Sequence, residues 1–272
     1  MQDKYPVIIY GTAWKEERTQ ELVSQALALG FRAIDSANQR KHYWEQASGT
    51  AVAEWVKKGN DRKQLFLQSK FTHLGGQDHR LPYNPQHSYR TQVLQSFESS
   101  LSHYNTDYLD SYLIHGPNSP FEITTEDIEI WQTMEELQKT GKIKSIGISN
   151  VNIRQLRQLY DLAEIKPASV QNRCYAARQW DSEIRKYCKD HGIHYQGFSL
   201  LTANPQLFSH PIINSISKKQ NKTPAQVILA FAQKSGMTVL SGTTDPGHMQ
   251  QDLQIETIQF SQNELETLET GC

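Results

Sequence analysis

Tyr112-Leu113-Ile114-His115, then Ile128, Trp131 and Met134 at helical spacing, then Ser145-Ile146-Gly147-Ile148-Ser149, form one repeating unit: a short apolar run, an amphipathic segment and a second short run. Neither run alternates apolar with polar residues, as strands buried on both faces should not. Two such strands joined by a helix pair in parallel through a crossover. The unit recurs on either side. Strand candidates fall at residues 7–10, 33–35, 65–70, 112–115, 145–149, 169–171, 194–198 and 238–240. Between them Leu22, Val23, Ala26 and Leu27 share a helical face ahead of Gly30, a C-terminal cap; Val93, Phe97 and Leu101 step by four; Leu156, Leu159 and Tyr160 cluster. Thr223-Pro224-Ala225-Gln226 and Ser261-Gln262-Asn263-Glu264 are capping boxes that start two late helices.

Strands alternating with helices in this length fit one closed (β/α)8 TIM barrel, an α/β fold, spanning residues 1–272 as a single domain. An open doubly wound sheet is the alternative, but no GxGxxG follows any strand, so a Rossmann domain lacks its phosphate loop. Twenty-eight basic and 29 acidic residues leave a net charge of −1, without the basic excess that nucleic acid or a membrane surface demands. Cys174, Cys188 and Cys272 make neither a CxxC pair nor an even disulfide set; reduced thiols and no metal are the expectation. The first residues, Met1-Gln2-Asp3-Lys4-Tyr5-Pro6, contain no apolar leader, and a soluble, cytoplasmic protein is expected.

In such barrels the reactive groups stand at the carboxyl ends of the strands. Asp35, Lys70 and His115 end the second, third and fourth strand candidates, and adjacent strands lie about 4.8 Å apart, so the three can share one cluster. Singly they read as a cap, a solvated cation and a core histidine; together they point to chemistry.

The segments Phe31-Arg32-Ala33-Ile34-Asp35-Ser36-Ala37, Leu67-Gln68-Ser69-Lys70, Asp107-Tyr108-Leu109-Asp110-Ser111-Tyr112-Leu113-Ile114-His115 and Gly141-Lys142-Ile143-Lys144-Ser145-Ile146-Gly147-Ile148-Ser149-Asn150 resemble the aldo-keto reductase family, and the similarity runs in order from Gly11-Thr12-Ala13-Trp14 onward. The resemblance implies an NADPH-dependent oxidoreductase that reduces aldehydes or ketones to alcohols. Its Asp, Tyr, Lys and His set maps onto Asp35, Tyr43, Lys70 and His115. Hydride reaching a carbonyl carbon leaves charge on oxygen, which must take a proton. A free phenol titrates near pH 10, so a lysine cation beside it, itself steadied by a carboxylate, is expected to lower its pKa, while His115 orients the carbonyl. The family tyrosine commonly follows the aspartate by five residues, where this chain has Arg40. The match falls to Tyr43 because Gly49-Thr50-Ala51-Val52 resembles the start of the family's next helix; should Tyr43 point elsewhere, His115 or water must supply the proton.

By the same resemblance Thr12, Ala13, Ser149, Asn150, Gln171, Phe198, Ser199, Leu200, Gly242, Thr243, Thr244, His248, Gln251 and Asp252 hold the cofactor. Phe198 stands where the family stacks a tyrosine on the nicotinamide. Asp245 and Pro246 read as the cap and first position of a short helix facing phosphate. The lysine and arginine that grip the 2′-phosphate appear as Gly242 and His248, which weakens charge-assisted contact to a dianion and makes NADH a possible cofactor beside NADPH. Trp14, with Tyr43 and His115, lines the substrate pocket. Gly116-Pro117-Asn118 replaces a family tryptophan, and the chain ends soon after Leu268, so an open pocket for small aldehydes, ketones or dicarbonyls is expected. Two other classes fit the same residues: a Schiff-base lyase using Lys70, and a non-catalytic nucleotide-binding redox sensor on the same barrel.

Overall fold

The computed structural model describes residues 5–270; Met1 to Lys4, Gly271 and Cys272 lie outside them. Every expected strand forms, within two residues at either end: β1 (Ile8–Gly11), β2 (Ala33–Asp35), β3 (Phe66–Phe71), β4 (Ser111–Ile114), β5 (Ile146–Ser149), β6 (Ser169–Arg173), β7 (His194–Phe198) and β8 (Thr238–Ser241). They close into a barrel in chain order, with parallel register from β1 through β5 and again from β7 to β8. The continuous apolar character of β2, β4 and β5 is explained directly: every residue in them is buried.

The helices between the strands are α1 (Thr19–Leu29), α2 (Glu45–Lys57), α3 (Tyr89–Tyr104), α4 (Thr125–Lys139), α5 (Ile153–Leu162), α6 (Ser182–Asp190), α7 (Pro211–Gln220), α8 (Pro224–Lys234), α9 (Pro246–Asp252) and α10 (Gln262–Glu269). The described residues form two compact units, one from Tyr10 to Val170, the other from Gln171 onward with residues 5–9.

Cap chemistry decides which helix starts are legible. The boxes at Thr223 and Ser261 form, and so do two more at Thr124 with Asp127 and at Asn152 with Gln155. Gly30 closes α1 at φ 120°, a conformation open to glycine. By contrast α6 and α7 begin at Asp181 and His210, neither of which makes a side-chain cap bond, and the one start signal missed there is Pro211 in the first turn of α7.

Glycine also fixes how closely two helices approach beside the candidate site. A Cβ at Gly49 in α2 would stand 1.9 Å from the His103 carbonyl oxygen of α3, so only glycine allows the crossing. That contact sets where α2 begins, and hence where the loop from Asp35 to Tyr43 must end.

Among the described residues no helix is long and apolar enough to cross a membrane. Cys174 and Cys188 are free and buried.

Candidate active site

Asp35 ends β2 opposite Gln68 of β3, and Lys70 lies one residue short of the end of β3 at Phe71. Alternate residues of a strand face the same side, so Gln68 and Lys70 both reach Asp35. Lys70 Nζ donates to Asp35 Oδ1 at 2.6 Å, to Oδ2 at 2.7 Å and to the Ser36 carbonyl at 2.8 Å. Gln68 Nε2 donates to Asp35 Oδ1 at 2.7 Å. The Thr12 amide and hydroxyl both donate to the Asp35 carbonyl, at 3.0 and 2.9 Å, so Thr12 braces the aspartate and its hydroxyl is already engaged there.

Lys70 is fully buried, and its three donors all end on protein oxygens. Burial pulls its pKa below the usual lysine value, opposed by the charge and hydrogen bonds of Asp35. A Schiff-base nucleophile needs an accessible neutral amine. This ammonium is enclosed and paired, which removes the ground for the lyase reading.

The longer loop between Asp35 and Tyr43 is tied down at several points. Asn38 N donates to the Lys70 carbonyl at 3.3 Å and Tyr43 N to the Gln39 carbonyl at 3.0 Å; Gln39 Nε2 reaches the Gly76 carbonyl at 2.6 Å and Asn38 Nδ2 the Ser96 carbonyl at 3.0 Å. Arg40, at the family's tyrosine spacing, turns aside and lays its guanidinium 4.3 Å from the centre of the Trp44 ring. Tyr43 is the aromatic that meets the charged pair: Lys70 Nζ lies 5.2 Å from the centre of its ring, and its ring stands edge-on to His115 with centroids 5.6 Å apart. The structure thus brings Asp35, Tyr43, Lys70 and His115 together.

The electrostatics differ from expectation in one respect. Lys70 addresses the face of the Tyr43 ring and spends its hydrogen bonds on Asp35 and Ser36, so the phenol takes no hydrogen bond from it. Burial raises the Tyr43 pKa above the ordinary phenol value, and the Asp35 charge adds to the rise. At neutral pH the phenol is protonated, the state a proton donor requires.

His115 follows β4 directly and keeps a strand-like bond, its amide donating to the Phe71 carbonyl at 2.8 Å. Its carbonyl accepts from Asn150 Nδ2 at 2.7 Å, and its Nδ1 lies 2.7 Å from Thr72 Oγ1. Burial, then the positive charge of Lys70, then His42, pull its pKa from 6.5 down to about 3. The imidazole is therefore neutral. An unfolded chain binds this proton from about pH 6.5 downward while the folded one resists until about pH 3, so stability rises with pH across that window and is lost as pH falls. We expect His115→Gln to remove a loss of about 2 kcal/mol between pH 7 and pH 5. Urea unfolding at the two pH values checks this, and parallel slopes for wild type and variant would refute it.

Trp14 stands at φ 61° and is 68 % exposed, its ring tilted 36° against that of His42 with centroids 4.0 Å apart and its amide donating to the His42 carbonyl at 2.7 Å. His42 was not foreseen as part of this wall; its contacts with Trp14 and its charge coupling to His115 place it there. Gln68 and Thr72 were also missed, as was the buried Glu45, which accepts from Ser69 Oγ and pairs with His103 Nδ1 at 2.8 Å. A capping Thr or a strand Gln looks alike in sequence whatever it touches.

The other expected cofactor residues are distributed as follows. Ala13 is half-buried, and Ser149 is buried at the end of β5. Asn150, at φ 55°, uses its Nδ2 on His115 and Ser149. In the second unit Gln171 donates to Gln196 Oε1 at 2.9 Å, Phe198 ends β7 half-buried, Ser199 follows at φ 57° and Leu200 is buried. Gly242, Thr244 and His248 are exposed and Thr243 is half-buried. Asp245 caps α9 as expected, its Oδ1 accepting from His248 N at 2.9 Å. Gln251 spends its carbonyl on Gln226 Nε2. Asp252 is buried, accepts from Ser241 Oγ at 2.5 Å, and burial pushes its pKa up to about 6.

A closed parallel barrel whose strand ends gather an ammonium, a carboxylate, a phenol and an imidazole is the build of a barrel enzyme working by proton transfer. The Aldo/keto reductase family model matches residues 7–209, and the chain belongs to that family. It is 32% identical over 249 residues to glyoxal reductase of Bacillus subtilis, covering 92% of this chain and 82% of that one. It is 29% identical to aldo-keto reductase family 1 member A1 of Xenopus tropicalis, over 97% of this chain and 85% of the relative. Among solved structures, an aldo/keto reductase from Brucella melitensis superposes with a TM-score of 0.81 at 26% identity, covering 98% of this chain and 95% of that one. The protein is accordingly an NAD(P)H-dependent oxidoreductase that reduces aldehydes or ketones to alcohols.

Proposed function

We propose that Tyr43 delivers the proton in this reduction, that the Lys70 ammonium, kept charged by Asp35, stabilises the phenolate left behind, and that His115 holds the carbonyl oxygen by a hydrogen bond. The observation that carries this is the buried Lys70–Asp35 pair, 2.6 Å apart, set against the ring of a protonated Tyr43. The bound cofactor supplies the hydride. Tyr43 gives up its proton as negative charge develops on the substrate oxygen; the nearby ammonium offsets that charge, and Asp35 keeps the ammonium charged and still. A neutral His115 donates without competing for the proton.

Toward the cofactor, the unit Tyr10–Val170 offers Thr12, Ala13, Ser149 and Asn150, whose Oδ1 accepts no hydrogen bond among the described residues and so suits the amide of a nicotinamide. The other unit offers Gln171, the Phe198 ring, Ser199, Leu200, Thr243, Thr244, His248, Gln251 and Asp252. The 2′-phosphate fits less well. Gly242 brings no cation, and the carboxylate of Asp245 already occupies the first turn of α9, with hydrogen bonding holding its pKa below the usual carboxylate range. NADPH is the preferred cofactor by family, and NADH is accepted with only modestly lower affinity, because a like charge and missing cations cancel much of the phosphate's contribution.

The substrate is a small aldehyde or dicarbonyl: the Trp14 ring beside His42 stands exposed, and the Bacillus subtilis relative is named for glyoxal. The test is oxidation of NADPH and of NADH with a panel of aldehydes and glyoxals, together with fluorescence titration of each cofactor. Turnover with small carbonyls and a cofactor affinity ratio under about a hundredfold are expected; a preference of many thousandfold for NADPH would overturn the phosphate argument. No turnover with any carbonyl would favour the redox-sensor reading.

A further inference from the structure

His115 is neutral, so one of its two ring nitrogens carries the hydrogen, and only the one bearing it can donate to a substrate oxygen. Nδ1 faces Thr72 Oγ1 at 2.7 Å. Nε2 has no hydrogen-bond partner among the described residues and is the nitrogen left for substrate.

Thr72 is unusually constrained for a loop residue. It is 6 % exposed. Its carbonyl accepts from the Tyr83 hydroxyl at 2.8 Å and from Gln77 Nε2 at 3.4 Å, which fixes its backbone. Its methyl group faces Gly76, where an added Cβ would come within 2.7 Å of Thr72 Cγ2, so glycine there leaves room for the methyl. A β-branched side chain has little χ1 freedom to begin with. The hydroxyl is left aimed at Nδ1, and among the described residues it has no second partner.

The count of donors and acceptors then decides the tautomer. Were Nδ1 to carry the hydrogen and donate to Oγ1, the buried Thr72 hydroxyl would keep its own hydrogen without an acceptor. If Thr72 donates to a bare Nδ1, both groups are satisfied. We infer that Thr72 is a positioning residue that fixes His115 as the Nε2–H tautomer, so that the imidazole presents a donor to the substrate carbonyl. This rests on the role proposed above for His115. It also restricts the pocket: the group seated at Nε2 must be an acceptor oxygen, so carbonyls bind and protonated amines are turned away.

Three variants and one spectrum test it. Nitrogen-15 NMR of the wild-type imidazole, at pH 7, should show hydrogen on Nε2 and none on Nδ1; hydrogen on Nδ1 overturns the inference with no mutation needed. Thr72→Val keeps the shape and removes the donor. We expect kcat for an aldehyde to fall about tenfold with KM and cofactor affinity little changed, and the His115 spectrum to become a mixture of tautomers. Thr72→Ser should restore both kcat and spectrum, which a merely structural role would not require. An unchanged kcat and a single Nε2–H tautomer in Thr72→Val would sink the role of Thr72. An unchanged kcat in His115→Gln would sink the role of His115 instead, leaving the spectrum to judge the tautomer.

Discussion

Lys70→Met is expected to cost about 3–5 kcal/mol of folding stability and to abolish turnover, because it strands a buried carboxylate. Asp35 is 2 % exposed, and after the change its only remaining side-chain donor from β3 would be Gln68. A buried anion without its cation must either take up a proton or force the site open. Asp35→Asn removes the charge on the other side and strands an ammonium that is fully enclosed. The double variant Asp35→Asn, Lys70→Met buries no net charge at all, so it should recover most of the stability lost by either single change while remaining inactive. Chemical denaturation of the four proteins forms a double-mutant cycle, and a large favourable coupling is expected. Additive effects would mean that the pair is not the buried unit its 2.6 Å contact describes. Recovered activity in the double variant would remove Lys70 from the chemistry altogether.

How much of this was readable in advance depended on the reach of each signal. Strands buried on both faces announce themselves as apolar runs, so all eight strand positions were legible, and the strand-end rule carried Asp35, Lys70 and His115 with them. Helix starts were legible where a side chain caps them, at Thr223 and Ser261, and silent at Asp181 and His210, where none does. Tyr43 could be placed through the resemblance of Gly49-Thr50-Ala51-Val52 to the family's next helix, and the physical ground for it, a glycine that lets α2 cross α3, lay outside the sequence. What stayed hidden was partnership across the fold. Nothing local to Gln68, Thr72 or Glu45 distinguishes them from ordinary strand, loop and helix residues; their importance lies in contacts to residues 33, 43 and 58 positions away. The balance of charge was equally hidden. The sequence supports a lysine beside a phenol, but not that burial and the Asp35 charge leave that phenol raised.

That balance shapes the second large effect. Tyr43→Phe should bind cofactor as the wild type does and lose turnover by about a hundred- to ten-thousandfold, the range spanned by loss of a positioned general acid. The phenylalanine keeps the ring that meets His115 edge-on and Lys70 at its face, so the site should retain its packing and the only group removed is the hydroxyl. The shape of the pH profile separates this from a general loss of fitness. In the wild type His115 titrates at about pH 3 and leaves no acid limb near neutrality, while the phenol, raised by burial and by Asp35, stays protonated until well above pH 10. Reduction should therefore run at constant kcat from about pH 5 upward and decline only when Tyr43 or Lys70 loses its proton. In Tyr43→Phe the residual rate should fall with rising pH much earlier, following the solvent-derived acid that replaces the phenol. A variant that keeps wild-type turnover and the wild-type profile would show that the proton comes from elsewhere. His115 would be a poor substitute, since it is neutral across the working range and a neutral imidazole is a far weaker acid than an imidazolium.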